Sequence, residues 1–239
     1  MRTSRVYLAQ QLTSGSSITL EGESAHYLTK VLRLKTGDSF NPFNGTDGEF
    51  SAEILNLDRN RLTACINDPV SNTADPELII NLGLGLSRGE RMDYGIQKST
   101  ELGVSSITPL ITVRGEVKLS QDRLIKKLQH WRKVAISACE QCGRNTVPEI
   151  NPPCTLSDWV KEYYPGVVLD HRGTGNLANQ PFENHINLVV GPEGGLSDEE
   201  LEIAQQNQYT VLKLGPRTLR TETAPVVALS VIQFLLGDI

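Results

Sequence analysis

Hydrophobic and polar residues follow one pattern in the first 70 residues of the chain and another pattern after it. In residues 1–70, short segments of alternating character at Ser16–Leu20, Glu49–Leu55 and Arg61–Ile66 predict strands of a small, mostly β domain. Asn44-Gly45 is the dipeptide typical of a hairpin turn. The polar stretch 67–76, which holds two prolines, predicts a linker, and we place the domain boundary at residues 71–76.

One segment of this first part has helical spacing instead. Tyr27, Val31 and Leu34 recur at intervals that would put them on one face of a helix within residues 23–34. Lys35–Asp38 follows as a predicted turn.

From Glu77 onward, apolar strands alternate with amphipathic helices. The predicted strands are residues 78–86, 104–111, 166–170, 186–190 and 209–214, and the last three are expected to be separated by helices. The predicted helices include 91–102, 120–142 and 224–236. Helix 120–142 has one apolar face, formed by Leu124, Leu128, Trp131, Ala135 and Ala138. This alternation predicts an α/β domain over residues 77–239, with a largely parallel sheet flanked by helices.

Two glycine-proline turns follow strands near the end of the chain. Gly191–Gly195 comes after one apolar strand and Gly215-Pro216 after the next, so both turns are expected at the strand ends where open α/β sheets bind ligands. Neither turn has the glycine spacing of a dinucleotide or phosphate-binding loop. Ser197 and Glu200 predict a capping box, and acidic residues fill the first turn of that helix, which favours a neutral or cationic ligand over a phosphate.

The overall charge argues against a strongly basic nucleic-acid-binding protein, and the hydropathy argues against a membrane protein. The 239 residues carry a net charge of −5, yet positive residues outnumber negative ones in the segment 77–136. That basic segment is compatible with a solvated helix face or with RNA contact, and both alternatives stay open at this point. No apolar run reaches the length of a membrane span and the N-terminus lacks an apolar signal segment, so we expect a cytoplasmic protein.

The four cysteines do not indicate a metal or redox site. Cys139 and Cys142 form a C-x-x-C pair, but the pair lies at the end of a predicted helix, where a thiolate is not stabilised. No second pair of cysteines or histidines completes four zinc ligands, so no metal site is expected.

Several motifs together resemble one family. Gly191–Glu200 reads G-P-E-G-G-L-S-D-E-E, and Leu214–Ala224 reads L-G-P-R-T-L-R-T-E-T-A. Both resemble the C-terminal motifs of SPOUT methyltransferases, above all the bacterial branch that methylates N3 of a uridine in 16S ribosomal RNA. Lys98–Pro109, Glu140–Pro148 and Ala25–Arg33 resemble three further segments of that family, the last being the opening of its PUA-like RNA-binding module.

This resemblance implies the fold, the cofactor and the partners. The C-terminal domain, residues 77–239, would be a SPOUT-type, trefoil-knotted sheet, preceded by a PUA-like domain in residues 1–70. The protein would be a homodimer that acts on 16S ribosomal RNA or the 30S subunit and uses S-adenosylmethionine. The expected cofactor-binding residues are Leu169, Asp170, His171, Gly191, Pro192, Glu193, Gly194, Gly195, Leu214, Gly215, Leu219 and Thr221.

The remaining expected site residues concern catalysis and RNA. Arg217 and Arg220 would stabilise negative charge on a uracil that loses its N3 proton, and Glu222 would act as the base or orient an arginine. The residues expected to bind RNA are Arg88, Arg91, Lys98 and Arg144. Two alternatives remain: a SPOUT methyltransferase for another rRNA or tRNA site, and a non-catalytic RNA-binding protein.

Overall fold

The chain forms two compact units. The computed structural model describes residues 3–59, 61–72, 74–117, 121–180, 182 and 184–239. The first unit comprises residues 1–75 together with 139–147, and the second comprises 76–138 and 148–239. Lys118 of the basic segment, Ser120 at the predicted start of a helix and Thr73 of the linker lie outside the described residues.

The first unit is built on a five-stranded sheet. Its strands are β1 (Arg5–Tyr7), β2 (Ser17–Glu21), β3 (Ser39–Phe43), β4 (Glu49–Leu57) and β5 (Arg61–Val70). They are ordered β1-β3-β4-β5-β2, with β1 parallel to β3 and the other neighbours antiparallel. The hairpin expected at Asn44-Gly45 joins β3 to β4 and is confirmed. Strand β5 runs on to Val70, so the expectation that residues 67–70 belong to a linker is wrong.

The helix expected over residues 23–34 is shorter and changes its geometry midway. Helix α1 spans Gly22–His26 and is followed by a π-helical turn over Tyr27–Val31. In that turn the Leu32 amide bonds the Tyr27 carbonyl, five residues earlier, at 2.9 Å. The expected face is therefore only partly formed: Tyr27 and Leu34 are half-buried and pack against the core, but Val31 is 57% exposed, and Leu28 is fully buried instead.

Arg5 organises a buried polar cluster in the first unit. Its Nε donates to Glu49 Oε2 at 3.1 Å, and its Nη2 donates to the Arg144 carbonyl at 3.0 Å and to Asn145 Oδ1 at 2.6 Å. The guanidinium also lies 4.4 Å from the centre of the Phe43 ring. These bonds attach the segment 139–147 to strand β1, which explains why a segment distant in sequence belongs to this unit.

The second unit contains the parallel sheet. Its strands are β6 (Ile79–Gly85), β7 (Ser106–Ile111), β8 (Glu149–Ile150), β9 (Cys154–Thr155), β10 (Gly166–Leu169), β11 (His185–Val190) and β12 (Tyr209–Leu212). Its helices are α2 (Glu90–Glu101), α3 (Gln121–Cys142), α4 (Leu156–Glu162), α5 (Asp198–Gln206) and α6 (Thr223–Leu236), and the last turn of α3 is counted with the first unit. Trp131, Ala135 and Ala138 of the expected α3 face are buried, which confirms that face.

The strands of this sheet run in one direction. Their order is β12-β10-β11-β6-β7-β8, with β9 also paired to β7, and each of these pairs is parallel. The predicted α/β class with a mostly parallel sheet flanked by helices is therefore confirmed, as is the β-rich N-terminal part. The helix expected between β10 and β11 is a wrong prediction. The described residues of that connection contain only a 3-10 turn, Leu177–Asn179.

The end of β12 lies between two segments that follow each other in the chain. On one side Leu212 pairs with Leu169 of β10, and on the other it forms a bridge with Gly175. A Cβ on Gly173 would lie 2.6 Å from the Leu212 carbonyl carbon, so this loop passes over the strand at backbone contact. The trefoil knot that the resemblance implies stays a prediction. Within the described residues, no helix has the length and apolar character needed to cross a membrane.

Candidate active site

Three loops of the second unit meet at one edge of the sheet. Strands β12, β10 and β11 are adjacent and parallel, so the loops that follow them lie side by side at their carboxyl ends. Together these loops line a pocket of about 740 Å³. A pocket of that size, at that edge of an α/β sheet, suits a ligand the size of a nucleoside derivative.

Close backbone contacts fix the loop after β11. A Cβ on Gly85, at the end of β6, would fall on the Pro192 nitrogen and 2.7 Å from the Gly191 carbonyl carbon. A Cβ on Gly194 would lie 2.9 Å from the Arg114 carbonyl oxygen. Gly195 has a φ of +67°, in the left-handed region that favours glycine. The loop can therefore follow its path only because glycine occupies these positions.

An arginine holds the loop after β10 against the loop after β11. Arg172 donates from Nε to Asp170 Oδ1 at 2.7 Å and from Nη2 to Asp170 Oδ2 at 2.8 Å. The same Nη2 donates to the Leu196 carbonyl at 2.8 Å, and Nη1 bonds Asp198. Burial by itself would raise the pKa of Asp170, but the hydrogen bonds and charge of Arg172 outweigh it, and the pKa is lowered. Asp170 is thus an ionised anchor of the pocket wall.

Two further carboxylates lie in the pocket, each beside an arginine. Glu193 Oε1 accepts from Arg91 Nη1 at 2.9 Å. Burial would raise the pKa of Glu193, but hydrogen bonds from its own amide and from Arg91 lower it. Glu222 lies 4.0 Å from Arg220 and is mostly shielded from solvent, whereas Arg220 is exposed. Glu222 therefore has the looser ion pair of the two.

The capping box expected at the start of α5 is confirmed. Ser197 Oγ accepts from the Glu200 amide at 3.1 Å, and Glu200 Oε2 accepts from the Ser197 amide at 2.8 Å. Glu200 Oε1 also accepts from the Val113 amide at 2.8 Å, which ties the loop after β7 to the same helix start. Two of the acidic residues in the first turn of α5, Asp198 and Glu200, are thus engaged in protein contacts.

The structure brings all the expected cofactor-binding and catalytic residues together. Each of them lines the pocket at the ends of β10, β11 and β12. The cofactor set is Leu169, Asp170, His171, Gly191, Pro192, Glu193, Gly194, Gly195, Leu214, Gly215, Leu219 and Thr221, and the catalytic set is Arg217, Arg220 and Glu222. Their roles stay predictions.

Of the four residues expected to bind RNA, only Arg91 lines this pocket. Arg91 lines the pocket, and Arg88 is exposed and paired with Glu116 at 3.0 Å. Lys98 lies two turns along α2 from Arg91 and bonds Glu101 at 2.8 Å. Arg144 belongs to the first unit and is only 3% exposed, so its side chain offers almost no surface to RNA.

Cys139 of the C-x-x-C pair is buried. Burial raises the pKa of Cys139 to about 12, which keeps its thiol protonated at neutral pH. Cys139 and Cys142 are free. Among the described residues, no group of three or more His, Cys, Asp or Glu side chains is arranged to hold a metal ion.

Sequence reasoning missed three residues that shape the pocket. Gly85 is the last residue of β6, and glycine in a strand signals close backbone approach, so the L-G-L-G-L pattern contains a signal for it. Arg114 belongs to the basic segment 77–136, and nothing in that segment's charge pattern predicts that this residue lines the pocket. Arg172 follows Asp170 by two residues, but its partners Leu196 and Asp198 lie far along the chain, so no local pattern indicates its role.

Comparison with protein families gives two matches that cover most of the chain. Residues 74–233 match a family described as RNA methyltransferase domain. Residues 20–66 match a family described as RNA methyltransferase PUA domain.

Individual proteins match over nearly the full length. A ribosomal RNA small subunit methyltransferase E from Buchnera aphidicola subsp. Schizaphis graminum is 38% identical, covering 100% of this chain and 98% of that protein. Among solved structures, a putative methyltransferase from Legionella pneumophila with bound SAM is 38% identical, with a TM-score of 0.96 and 100% of both chains covered. A ribosomal RNA small subunit methyltransferase E from Neisseria gonorrhoeae, bound to S-adenosyl methionine, is 33% identical, with a TM-score of 0.92 and 99% of both chains covered.

Proposed function

Because the chain belongs to the RNA methyltransferase family, we propose that it transfers the methyl group of S-adenosylmethionine to N3 of a uridine in the 16S RNA of the small ribosomal subunit. The observation that carries the proposal is the pocket of about 740 Å³ at the ends of three adjacent parallel strands. The relatives named as small-subunit rRNA methyltransferases, and the related structures with bound S-adenosylmethionine, support the substrate and the methyl donor.

The pocket residues fit S-adenosylmethionine. Leu169, Leu214 and Leu219 offer apolar surface for an adenine ring, and the glycine-rich loop 191–195 brings backbone groups close enough to bond its edge. S-adenosylmethionine carries a positive sulfonium; Asp170 and Glu193 are each already paired with an arginine, so Glu222, which has the looser ion pair, is the pocket carboxylate most available to it. When bound, S-adenosylmethionine supplies an electrophilic methyl carbon.

The remaining pocket residues suit the uracil. Methylation at N3 requires that the N3 proton leave, that the N3 electron pair form the new bond to carbon, and that the carbon–sulfur bond break. Arg217 and Arg220 would stabilise the negative charge that develops on O2 and O4 of the base. Glu222, 4.0 Å from Arg220, either accepts the proton or orients that guanidinium. Glu222→Gln separates these roles, because glutamine can hydrogen-bond an arginine but cannot act as the base.

The proposal includes two binding partners, the RNA substrate and a second copy of this chain. The N-terminal module, as a PUA-type domain of RNA methyltransferases, would contribute to RNA binding. The protein would work as a homodimer: the end of α6 leaves Phe234 72% exposed, with Leu235 and Leu236 also exposed, and such an apolar patch suits a second subunit. The cytoplasmic location stays a prediction.

The proposal is tested in cells by mapping methylated nucleotides. Small-subunit RNA from a strain without the gene should lack N3-methyluridine, and the wild-type gene should restore it. Loss of a different modification, in rRNA or tRNA, would show another substrate. No change in any RNA, combined with no calorimetric binding of S-adenosylmethionine, would favour a non-catalytic RNA-binding protein.

A further inference from the structure

Helix α2 carries an exposed aromatic side chain next to the pocket. Arg91, Tyr94 and Lys98 recur at helical spacing and therefore lie along one face of α2. Arg91 lines the pocket, so this face begins at the pocket wall. Tyr94 is 45% exposed. We call these three residues the α2 stripe.

The tyrosine ring lies beside a cation. Lys98 Nζ lies 5.9 Å from the centre of the Tyr94 ring, within the range of a cation–π contact. Lys98 is itself held by Glu101 at 2.8 Å. The ring is thus supported from within its own helix while much of its surface remains open to solvent.

A basic helix borders the α2 stripe. His130 Nε2 of α3 lies 2.8 Å from Asp93 Oδ2 of α2, and Asp93 directly precedes Tyr94. Helix α3 also has four exposed cations, namely Arg123, Lys126, Arg132 and Lys133. The only acidic residue in the same part of α3, residues 121–138, is Asp122. Tyr94 therefore lies within one helical turn of Arg91, which lines the pocket, and directly after Asp93, which contacts α3, a helix whose exposed cations attract phosphates.

We propose that Tyr94 stacks on an unpaired base of the RNA substrate, that of the nucleotide next to the target uridine. The proposal rests on the function proposed above. Aromatic side chains flanked by cations bind single-stranded RNA by base stacking and phosphate contacts, whereas bases inside a duplex are closed to such stacking.

If Tyr94 stacks on a base, loss of its ring should weaken RNA binding, whereas loss of its hydroxyl should not. Tyr94→Ala should weaken binding to small ribosomal subunits isolated from a strain without the gene by about 5- to 150-fold, the range for loss of one base–aromatic stack. Tyr94→Phe should bind within about 2-fold of wild type. Tyr164→Ala, at another exposed tyrosine of the same unit, provides the matched control and should bind as wild type does.

Three further readouts separate this role from others. For Tyr94→Ala, the KM for small subunits should rise while kcat at saturating subunits and the affinity for S-adenosylmethionine stay unchanged. Wild-type binding by Tyr94→Ala, or equal losses in Tyr94→Phe, would overturn the proposal. A changed sedimentation coefficient of Tyr94→Ala would also overturn it, because the ring would then belong to a subunit interface. If wild type itself fails to methylate the subunits, the proposed function fails instead.

Discussion

Arg172 forms a bidentate ion pair with Asp170, with N–O distances of 2.7 and 2.8 Å, and the same guanidinium reaches the Leu196 carbonyl at 2.8 Å. One side chain thus sets the spacing between the loop after β10 and the loop after β11. Both loops line the pocket. The geometry of the proposed cofactor site therefore depends on a residue that does not itself line it.

Removal of Arg172 should weaken cofactor binding. Arg172→Ala releases the two loops and is expected to lower the affinity for S-adenosylmethionine by about 10-fold or more, the effect of losing a charge-assisted pair. Arg172→Lys should be intermediate, because an ammonium cannot make the bidentate contact. Calorimetry measures both variants. Arg61→Ala, which breaks an exposed pair with Glu21 in the first unit, is the control. Unchanged affinity in Arg172→Ala would refute the role.

The contribution of Asp170 should depend on pH in a defined direction. Its pKa is lowered in the folded protein from the ordinary value of 3.8. A carboxylate of this kind stabilises the fold at pH values above 3.8, and that stabilisation is lost as the pH falls through the lower folded-state pKa.

Asp170→Asn should therefore lower Tm at pH 7 by about 2–4 °C for each 1 kcal/mol lost. The difference in Tm between Asp170→Asn and wild type should disappear as the pH falls below 3.8. Thermal unfolding followed by circular dichroism from pH 7 to pH 3 measures this. The exposed Asp238 supplies a control, Asp238→Asn, whose Tm should match wild type at every pH. A difference in Tm that stays constant from pH 7 to pH 3 would contradict the claim that ionised Asp170 stabilises the fold.

A methyl group at Gly85 should displace the cofactor loop. Its Cβ would fall on the Pro192 nitrogen, a backbone atom that cannot move without shifting residues 191–195. Gly85→Ala is expected to cost about 1–3 kcal/mol in stability and to lower the affinity for S-adenosylmethionine. Gly83→Ala, on the same strand, is the matched control, because its Cβ would meet the Leu110 side chain at 2.8 Å and not the loop. Equal cofactor affinities in the two variants would argue against loop displacement.

Arg220 should affect turnover more than cofactor binding. If its guanidinium stabilises charge on the uracil, Arg220→Ala should lower kcat by about 100-fold, as loss of one transition-state donor does. The affinity for S-adenosylmethionine should stay near the wild-type value, and Arg220→Lys should recover part of the rate. Single-turnover methylation of small subunits measures these rates. Wild-type turnover in Arg220→Ala would remove this residue from the mechanism.

The sequence predicted the main features of the second unit because its signals are local. Ser197 and Glu200 are three residues apart, so their capping box is visible in the sequence. The glycine-proline turns mark strand ends, and the family resemblance connected them to a third loop at Leu169–His171. All three loops line one pocket in the structure.

What the sequence could not predict depends on distant contacts or on backbone geometry. The segment 139–147 joins the first unit through Arg5, a residue more than 130 positions away, and no periodicity indicates that pairing. Helical spacing puts Val31 on one face with Tyr27 and Leu34, but spacing does not predict the π turn, and Val31 is exposed. Arg144 is among the residues expected to bind RNA, but its side chain is buried.

The most direct test of the central claim is methyl transfer by the purified protein. Small ribosomal subunits from a strain without the gene are incubated with the protein and methyl-labelled S-adenosylmethionine, and the RNA is then digested to nucleosides and also copied by reverse transcriptase. We predict label in N3-methyluridine only and one new stop of the transcriptase, because a methyl group on N3 blocks the Watson–Crick edge. Label in another nucleoside, or none while S-adenosylmethionine and the subunits both bind, would contradict the account.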